Sequence, residues 1–120
     1  MFIFKTKNKI KYNYGNIDYG FYDEIFHKNK GVRSAWHFAK FNYIKKKIKQ
    51  KNIHLDIGCG SGTFISLLDN KMCYGIDISS KQIKYATKKY GKKNKKFYSF
   101  TKKIPFKKSF FDSISLIELI

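Results

Sequence analysis

The sequence predicts an α/β fold with a doubly wound parallel sheet that is flanked by helices. After residue 50, short apolar segments alternate with helical ones, and a glycine-rich turn follows the first apolar segment. Apolar strands that alternate with helices are typical of parallel pairing through right-handed crossovers. The chain has 120 residues, of which 42% are hydrophobic, so we expect one domain with a buried core.

The first 50 residues form an aromatic and basic preface, in which we expect a helical lid. Residues 21–28 favour a short helix, and residues 34–50 predict a longer one with Ser34 as its N-cap. The apolar residues that recur at helical spacing in the longer helix are Trp36, Ala39, Tyr43 or Ile44, and Ile48. We expect Trp36 to pack in the core and His37 to lie at the surface.

Residues 51–120 are expected to form the sheet and the helices that cover it. The predicted elements are a strand at Ile53–Ile57, a turn at Gly58–Gly62, a helix at Thr63–Asp69, a strand at Met72–Asp77, a helix at Ser80–Tyr90, and strands at Phe97–Phe100 and Asp112–Leu119. The lysine-rich run at residues 92–96 is interpreted as a solvated loop.

The turn between the first strand and the next helix has the pattern Asp-x-Gly-x-Gly-x-Gly, from Asp56 to Gly62. Glycines there let the backbone turn sharply and let a ligand approach closely, while the helix offers free N–H groups. A dinucleotide fingerprint would place its third glycine at Thr63, and the Gly-Lys-Ser/Thr ending of a phosphate-binding P-loop is absent. The turn therefore indicates a different nucleoside-bearing ligand.

The second strand ends in an acid, Asp77, which lies 21 residues after Asp56. In a parallel sheet of this type, that acid lies beside the first glycine turn, where a carboxylate can accept both ribose hydroxyls of an adenosine. The turn and the acid together predict a nucleoside-bearing cofactor.

With these motifs, the sequence resembles the class I, Rossmann-like S-adenosylmethionine-dependent methyltransferases. The resemblance is carried by residues 56–62, by residues 75–79, and by Ile104-Pro105-Phe106 followed by Phe111-Asp112. It implies a seven-stranded sheet in the order 3-2-1-4-5-7-6. The 120 residues supply only the first four strands, so residues 51–120 are expected to be an incomplete S-adenosylmethionine-binding half, with residues 1–50 as its lid.

The resemblance also implies which residues hold the cofactor. Gly58, Cys59 and Gly60 would line its methionine portion, together with Gly62 of the same turn. Asp56 would hold the amino group directly or through water.

The ribose and adenine side follows from the second motif. Asp77 would take the ribose hydroxyls, and Ile78 would lie against the adenine face. Relatives often have an acid four residues before the Ile-Pro pair, and this position is Phe100 here. Either backbone groups and stacking hold the adenine, or the register differs by a residue or two.

The acceptor and the catalytic base cannot be assigned from these residues. The aromatic residues expected to form an acceptor wall are Tyr12, Tyr14, Tyr19, Phe21, Tyr22 and Trp36. We favour a small-molecule acceptor. A nucleic-acid methyltransferase and a non-enzymatic cofactor-binding fragment stay open as alternatives.

Charge gives the nucleic-acid alternative its support. The chain has 26 Lys plus Arg against 8 Asp plus Glu, a formal net charge of +18. Only Arg33 is an arginine, whereas recognition of bases and bidentate recognition of phosphates favour arginine. The lysines are also spread along the chain, so we interpret most of this charge as compositional.

The remaining polar residues give weaker signals. Cys59 and Cys73 are not spaced as a zinc ligand pair, so we predict no metal site, and Cys59 is interpreted as a small loop residue rather than a nucleophile. His54 lies inside the first strand and is expected to be a hydrogen-bonded core histidine. Without a secretory leader or a membrane-length apolar run, we expect a cytoplasmic protein.

The end of the sequence carries one further expectation. With four strands, residues 112–119 would form a sheet edge, although Ile114, Leu116, Ile117 and Leu119 are apolar on both faces. Exposed apolar edges invite association. We therefore expect the 120 residues alone to be poorly soluble or oligomeric and to be inactive in methyl transfer.

Overall fold

A computed structural model describes residues 20–28, 31–107 and 109–117 as four parallel strands in one sheet with helices packed against it. The strands are β1 (Ile53–Ile57), β2 (Met72–Asp77), β3 (Lys95–Ser99) and β4 (Ser113–Ser115). Their spatial order is β3-β2-β1-β4. The predicted sheet and strand order are confirmed. The fourth predicted strand is shorter than expected: β4 ends at Ser115, and the described residues Leu116 and Ile117 are not part of it. The expected aromatic wall residues Tyr12, Tyr14 and Tyr19 and positions 118–119 of that predicted strand lie outside the described residues.

Four helices are described: α1 (Phe21–Lys28), α2 (Gly31–Lys47), α3 (Thr63–Ser66) and α4 (Ser80–Tyr90). One face of the sheet and these helices share a single core, whose members are Cys59, Phe64, Ile65, Leu68, Cys73, Ile83, Ala86 and Phe97. Phe41 and Ile44 of α2 pack against this core, as does Ile48 directly after the helix. Helix α2 of the preface therefore packs on the sheet domain.

Helix α2 begins at Gly31, three residues before the predicted cap, so Ser34 lies inside the helix and the capping prediction is wrong. Neither Val32 nor Arg33 is a helix breaker, and helical turns extend through them. The helix ends at Lys47 because the following backbone has other partners: Asn70 donates to the carbonyls of Lys49 and Asn52, at 2.8 and 3.1 Å.

The buried face of α2 is rotated from the predicted one. Trp36 is 64% exposed and Tyr43 is also 64% exposed, so the prediction that Trp36 packs in the core is wrong. Ile44 and Ile48, two of the predicted apolar residues, do pack against the core, and Phe41 contacts it where Trp36 was expected. Phe41 lies 5.3 Å from Phe64 of α3, ring centroid to ring centroid. His37, expected at the surface, is half-buried, and its ring lies near that of Phe41.

Two elements differ from their predicted bounds because of one lysine. Lys95 is buried, and its Nζ donates to the Ser66 carbonyl at 3.1 Å. This bond uses a carbonyl at the end of α3, which stops at Ser66 rather than at Asp69. Strand β3 begins at Lys95, opposite Cys73, so the lysine run at residues 92–96 is not entirely a solvated loop.

The second face of the sheet carries an aromatic cluster rather than a helix in the described part of the chain. Tyr74 and Tyr98 lie on this face because side chains alternate along a strand. Their rings stack 6.4 Å apart, and Phe106, Phe110 and Phe111 pack edge-on against Tyr74. The edge strand β4 leaves Ile114 53% exposed and Leu116 58% exposed.

Candidate functional site

The glycine turn lies where β1 ends, and β2 holds it in place. Gly58, Gly60 and Gly62 have φ values of 76°, 55° and 84°, in the left-handed region that side-chain-bearing residues rarely adopt. The N–H groups of Gly58 and Cys59 both donate to the Ile76 carbonyl, at 2.8 and 3.0 Å. The turn is therefore fixed to the neighbouring strand at the carboxyl edge of the sheet, where ligands bind in open α/β sheets.

Asp77 fastens the turn to the start of α4. One carboxylate oxygen, Oδ2, accepts from the Gly60 N–H at 2.9 Å, and Oδ1 accepts from the Ser79 N–H at 2.8 Å. The residue is 1% exposed. Ser79 caps α4 by accepting from the Gln82 N–H. Asp77 thus joins the predicted ribose position to the glycine turn.

Asp56 lies at the other side of the turn, on β1, and is 3% exposed. The Ser115 hydroxyl donates to its Oδ1 at 2.6 Å. No hydrogen-bond partner for Oδ2 occurs among residues 20–28, 31–107 and 109–117. Burial raises the pKa of Asp56 to about 7, against the effect of the Ser115 bond, and the Asp77 charge raises it further. A buried acceptor without a partner is costly unless a ligand supplies a donor.

His54 is fully buried, as expected of a core histidine, and both of its ring nitrogens are hydrogen-bonded. Nδ1 lies 2.7 Å from Ser113 Oγ, and Nε2 lies 2.9 Å from Ser115 Oγ. Burial lowers the pKa of His54 to about 4, so the ring is neutral at neutral pH. The serines of β4 were not singled out in the sequence, because a Ser-x-Ser pattern in a strand carries no distinctive signal.

Three other predicted cofactor residues, Ile78, Cys59 and Gly62, differ in their exposure and surroundings. Ile78 is 46% exposed directly after β2. The side chain of Cys59 belongs to the core, and burial raises the pKa of its thiol well above the usual value. A Cβ on Gly62 would lie 2.9 Å from the Phe97 ring and 3.0 Å from the Ala86 Cβ, so this glycine permits close packing of the turn on β3 and α4.

A second buried acid, Asp23 of α1, has no exposed surface and contacts the first residue of α3. Its Oδ1 accepts from Thr63 Oγ1 at 2.6 Å and from the Tyr90 hydroxyl at 2.7 Å. Its Oδ2 accepts from Lys89 Nζ at 2.7 Å and from the Tyr85 hydroxyl at 2.9 Å. The preface is thereby tied to the helix that follows the glycine turn. A lone acid in an aromatic segment gave no signal of this role.

The exposed side of α4 forms a basic groove of about 710 Å³, lined in the described part of the chain by Lys81, Lys84, Tyr85, Lys88 and Lys89. Across the described ranges, no three His, Cys, Asp or Glu side chains lie close enough together to hold a metal ion. Nor does any helix in those ranges have the length and apolarity needed to cross a membrane.

Comparison with known proteins agrees with this geometry. The methyltransferase-domain family matches residues 55–120. An uncharacterized protein of Methanocaldococcus jannaschii is 36% identical over 95 residues, which is 76% of this chain and 33% of that protein. The chain therefore belongs to the methyltransferase-domain family, and the resemblance seen in its sequence is confirmed.

Solved structures share the fold. The YcgJ protein from Bacillus subtilis matches with a TM-score of 0.58 and 25% identity, over 67% of this chain and 38% of that one. An S-adenosylmethionine-dependent methyltransferase from Aquifex aeolicus matches with a TM-score of 0.53 and 25% identity, over 63% of this chain and 46% of that one. The chain thus spans between a third and a half of the lengths of these three proteins.

Proposed function

We propose that the protein is an S-adenosylmethionine-dependent methyltransferase. The observation that carries this proposal is the buried Asp56, whose Oδ2 has no partner in the described residues and which lies beside a turn of three left-handed glycines. A ligand that has both a primary ammonium group and a nucleoside fits an unpartnered carboxylate oxygen beside such a turn. S-adenosylmethionine combines the two, and the Aquifex aeolicus protein of the same fold is described as dependent on it.

The turn residues would hold the methionine end of the cofactor. The ammonium group would donate to Asp56, while Gly58, Cys59 and Gly60 would supply backbone contacts, since the Cys59 side chain faces the core. Gly62 was predicted to belong to this set, and its position favours a packing role that shapes the turn. No atom of these residues would need to move a proton.

The nucleoside end would lie at the end of β2. A carboxylate has about four lone-pair sites, so Asp77 can accept from ribose hydroxyls as well as from backbone N–H groups. Ile78, with its exposed side chain, would offer an apolar surface to the adenine ring. Phe100 follows β3, and its N–H donates to the Asp77 carbonyl at 3.1 Å, so the adenine would be held by stacking and backbone contacts rather than by an acid there.

The bound cofactor supplies an electrophilic methyl group on a sulfonium centre. Transfer is an in-line displacement, so the protein contributes mainly by holding that group in line with the acceptor. We assign no catalytic base among the described residues.

For the acceptor, we propose a small molecule, in keeping with the single arginine and the dispersed lysines. The groove along α4 favours nucleic acid as the second candidate, because four of its lining residues are lysines on one helix face. The ammonium groups of lysines attract phosphates without reading sequence, so this candidate implies binding that salt weakens.

The experiment that tests the cofactor is calorimetric titration with S-adenosylhomocysteine. Asp77→Asn keeps the side-chain shape but removes the charge, so we expect affinity to fall about tenfold to a hundredfold, the equivalent of one charge-assisted hydrogen bond of roughly 1.5–3 kcal/mol.

The matched control is Asp69→Asn, which removes an acid that is 68% exposed and that forms an exposed ion pair with Lys45. That variant should bind like the wild type, because exposed ion pairs contribute little. Equal affinity in Asp77→Asn and wild type would remove Asp77 from the site.

A further inference from the structure

A chain of hydrogen bonds links the neighbouring strands β1 and β4 on the core face and ends at Asp56. His54 pairs in register with Ser113, and Asp56 pairs with Ser115. Residues two apart on a strand share a face, so all four side chains meet on one side of the sheet. The bonds run from Ser113 to His54, from His54 to Ser115 and from Ser115 to Asp56, at 2.7, 2.9 and 2.6 Å.

The hydrogen-bonding capacity of each group determines the direction of this chain. With Asp56 ionised, the only hydrogen of the Ser115 hydroxyl is donated to the carboxylate. Ser115 must then accept from His54, which requires the Nε2–H tautomer. The ring's Nδ1 consequently accepts from the Ser113 hydroxyl. Each of the three bonds then has one donor and one acceptor, and the neutral imidazole has the single N–H that this arrangement needs.

We propose that His54 is a positioning residue for cofactor binding. Acting through Ser115, it orients the Asp56 carboxylate. It also favours the hydrogen-bond direction in which this carboxylate stays ionised and faces a primary ammonium group. This inference rests on the proposed function and concerns how its ammonium site is built. The residue acts through another group and contacts no ligand itself. A purely packing role would instead be met by any apolar residue of similar volume under the Phe64 ring, which lies 6.3 Å away edge-on.

The groups around Asp56 determine whether its carboxyl group is ionised. The charge of Asp77 on β2 raises the pKa of Asp56, and the charge of Asp56 in turn raises the pKa of the Cys59 thiol in the turn. His54 contacts Asp56 through Ser115. Burial holds the Cys59 thiol and the His54 ring in their neutral forms, while the Asp77 charge opposes ionisation of Asp56. On β4 the neighbours are hydroxyls. Among the described residues, the Ser115 hydrogen bond is thus the contact that favours the ionised carboxylate, and His54 is the residue that directs it.

The test is the affinity for S-adenosylhomocysteine measured from pH 5.5 to 8.5 in four proteins. In the wild type, affinity should fall below about pH 7, because protonation of Asp56 removes the partner of the ligand's ammonium group. In His54→Leu, the donor to Ser115 is lost. We expect about fivefold weaker binding at pH 7, the worth of one neutral hydrogen bond, and a midpoint raised by about half to one pH unit.

Two further variants separate positioning from packing. His54→Gln places an amide N–H near the position of Nε2 and should keep the wild-type pH profile. Ser115→Ala removes the donor to Asp56 and should raise the midpoint at least as far as His54→Leu. The carboxyl ¹³C shift of Asp56, followed through a pH titration without ligand, should show the same order of midpoints.

The outcomes distinguish this inference from the proposed function. Wild-type midpoints in both His54→Leu and Ser115→Ala, by binding and by ¹³C shift, would overturn the positioning role while leaving cofactor binding intact. If His54→Leu does not fold, a wild-type midpoint in Ser115→Ala would overturn it alone. No binding of S-adenosylhomocysteine by folded wild type at any pH would instead contradict the proposed function.

Discussion

Replacing Asp23 by Asn should detach the preface helix α1 from the helix that follows the glycine turn. The change keeps the size of the side chain and removes its charge. In the native structure the carboxylate accepts from four donors on two elements: Thr63 of α3, and Tyr85, Lys89 and Tyr90 of α4. The Asn side chain presents an NH₂ group to two of these donors, so two of the four bonds cannot form.

The loss in the free energy of unfolding depends on which donors lose their hydrogen bond to Asp23. Removing one member of a buried ion pair costs about 3–5 kcal/mol. The Lys89 side chain is 43% exposed and can regain water, so we take a lower value of about 2–3 kcal/mol. For a domain of this size, each kcal/mol lowers Tm by roughly 4–8 °C, which gives a fall of about 10–20 °C.

Thermal unfolding and limited trypsin digestion measure the effect. The melting temperature reports the global loss, and cleavage after Lys28, at the end of α1, reports local detachment of the helix. The control is Glu24→Gln, which changes the next residue, an exposed acid. It should leave Tm within about 2 °C, since exposed substitutions usually change stability by less than about 0.5 kcal/mol.

The pH dependence gives an independent measure of the same contact. Burial would raise the pKa of Asp23, but the hydrogen bonds from Lys89, Thr63, Tyr90 and Tyr85 together hold it below its usual value. Its stabilisation is therefore present above the unfolded pKa, about 3.9, and is lost as pH falls through the lower folded pKa. The difference between wild type and Asp23→Asn should shrink below about pH 4. Equal melting temperatures at pH 7, with equal cleavage after Lys28, would refute this account of the Asp23 contact.

Two further predictions concern the choice of ligand. NADH should bind far more weakly than S-adenosylhomocysteine in a fluorescence titration, because Thr63 replaces the third glycine of the dinucleotide fingerprint and its hydroxyl is bonded to Asp23; comparable affinities would contradict the choice of cofactor. If the acceptor is nucleic acid, the double variant Lys84→Glu, Lys88→Glu should weaken RNA binding and flatten its salt dependence. The control double variant Lys102→Glu, Lys103→Glu lies outside the groove and should have a smaller effect on both. Salt-independent RNA binding would show that phosphate contacts do not dominate it.

Elements with strong local signals were predicted closely from the sequence. The bounds of β1, β2 and α4 agree with the prediction, because alternating apolar runs and a serine cap mark them. The acids at positions 56 and 77 also lie at the carboxyl ends of neighbouring strands, as the motif spacing indicates. Such features depend on residues that are close in sequence, so they can be read without tertiary structure.

Features that depend on distant partners were missed. The end of α3 and the start of β3 are both set by the buried Lys95, 29 residues from the carbonyl that it contacts. A lysine in a lysine-rich run gives no sign of burial. The orientation of α2 was likewise wrong, because Phe41 and Trp36 are both apolar and only the position of Phe64 decides which of them faces inward.

The candidate site likewise has one part that could be predicted from local sequence and one part that depends on distant partners. Its backbone was evident from the glycine pattern, whereas the network of His54 with Ser113 and Ser115 depends on the register between β1 and β4. A shift of one residue would turn the serines to the other face of the sheet. Histidine and serine therefore acquire their role only when the pairing is known.

The acids of this basic chain locate its site better than its net charge does. Only eight residues are Asp or Glu, and in the described ranges three of them, Asp23, Asp56 and Asp77, are at least 97% buried. Burying a carboxylate is costly unless it is paired or hydrogen-bonded, so such positions require specific partners.

All three buried acids converge on one turn: Asp77 holds Gly60, Asp56 precedes the first glycine, and Asp23 holds Thr63 directly after the last. Both carboxylate oxygens of Asp23 and of Asp77 accept hydrogen bonds from the protein, whereas Oδ2 of Asp56 has no partner in the part of the chain that is described. A cationic group recognised at this point would also suit the surroundings, because the negative charges lie around the turn while the lysines lie on the outer face of α4.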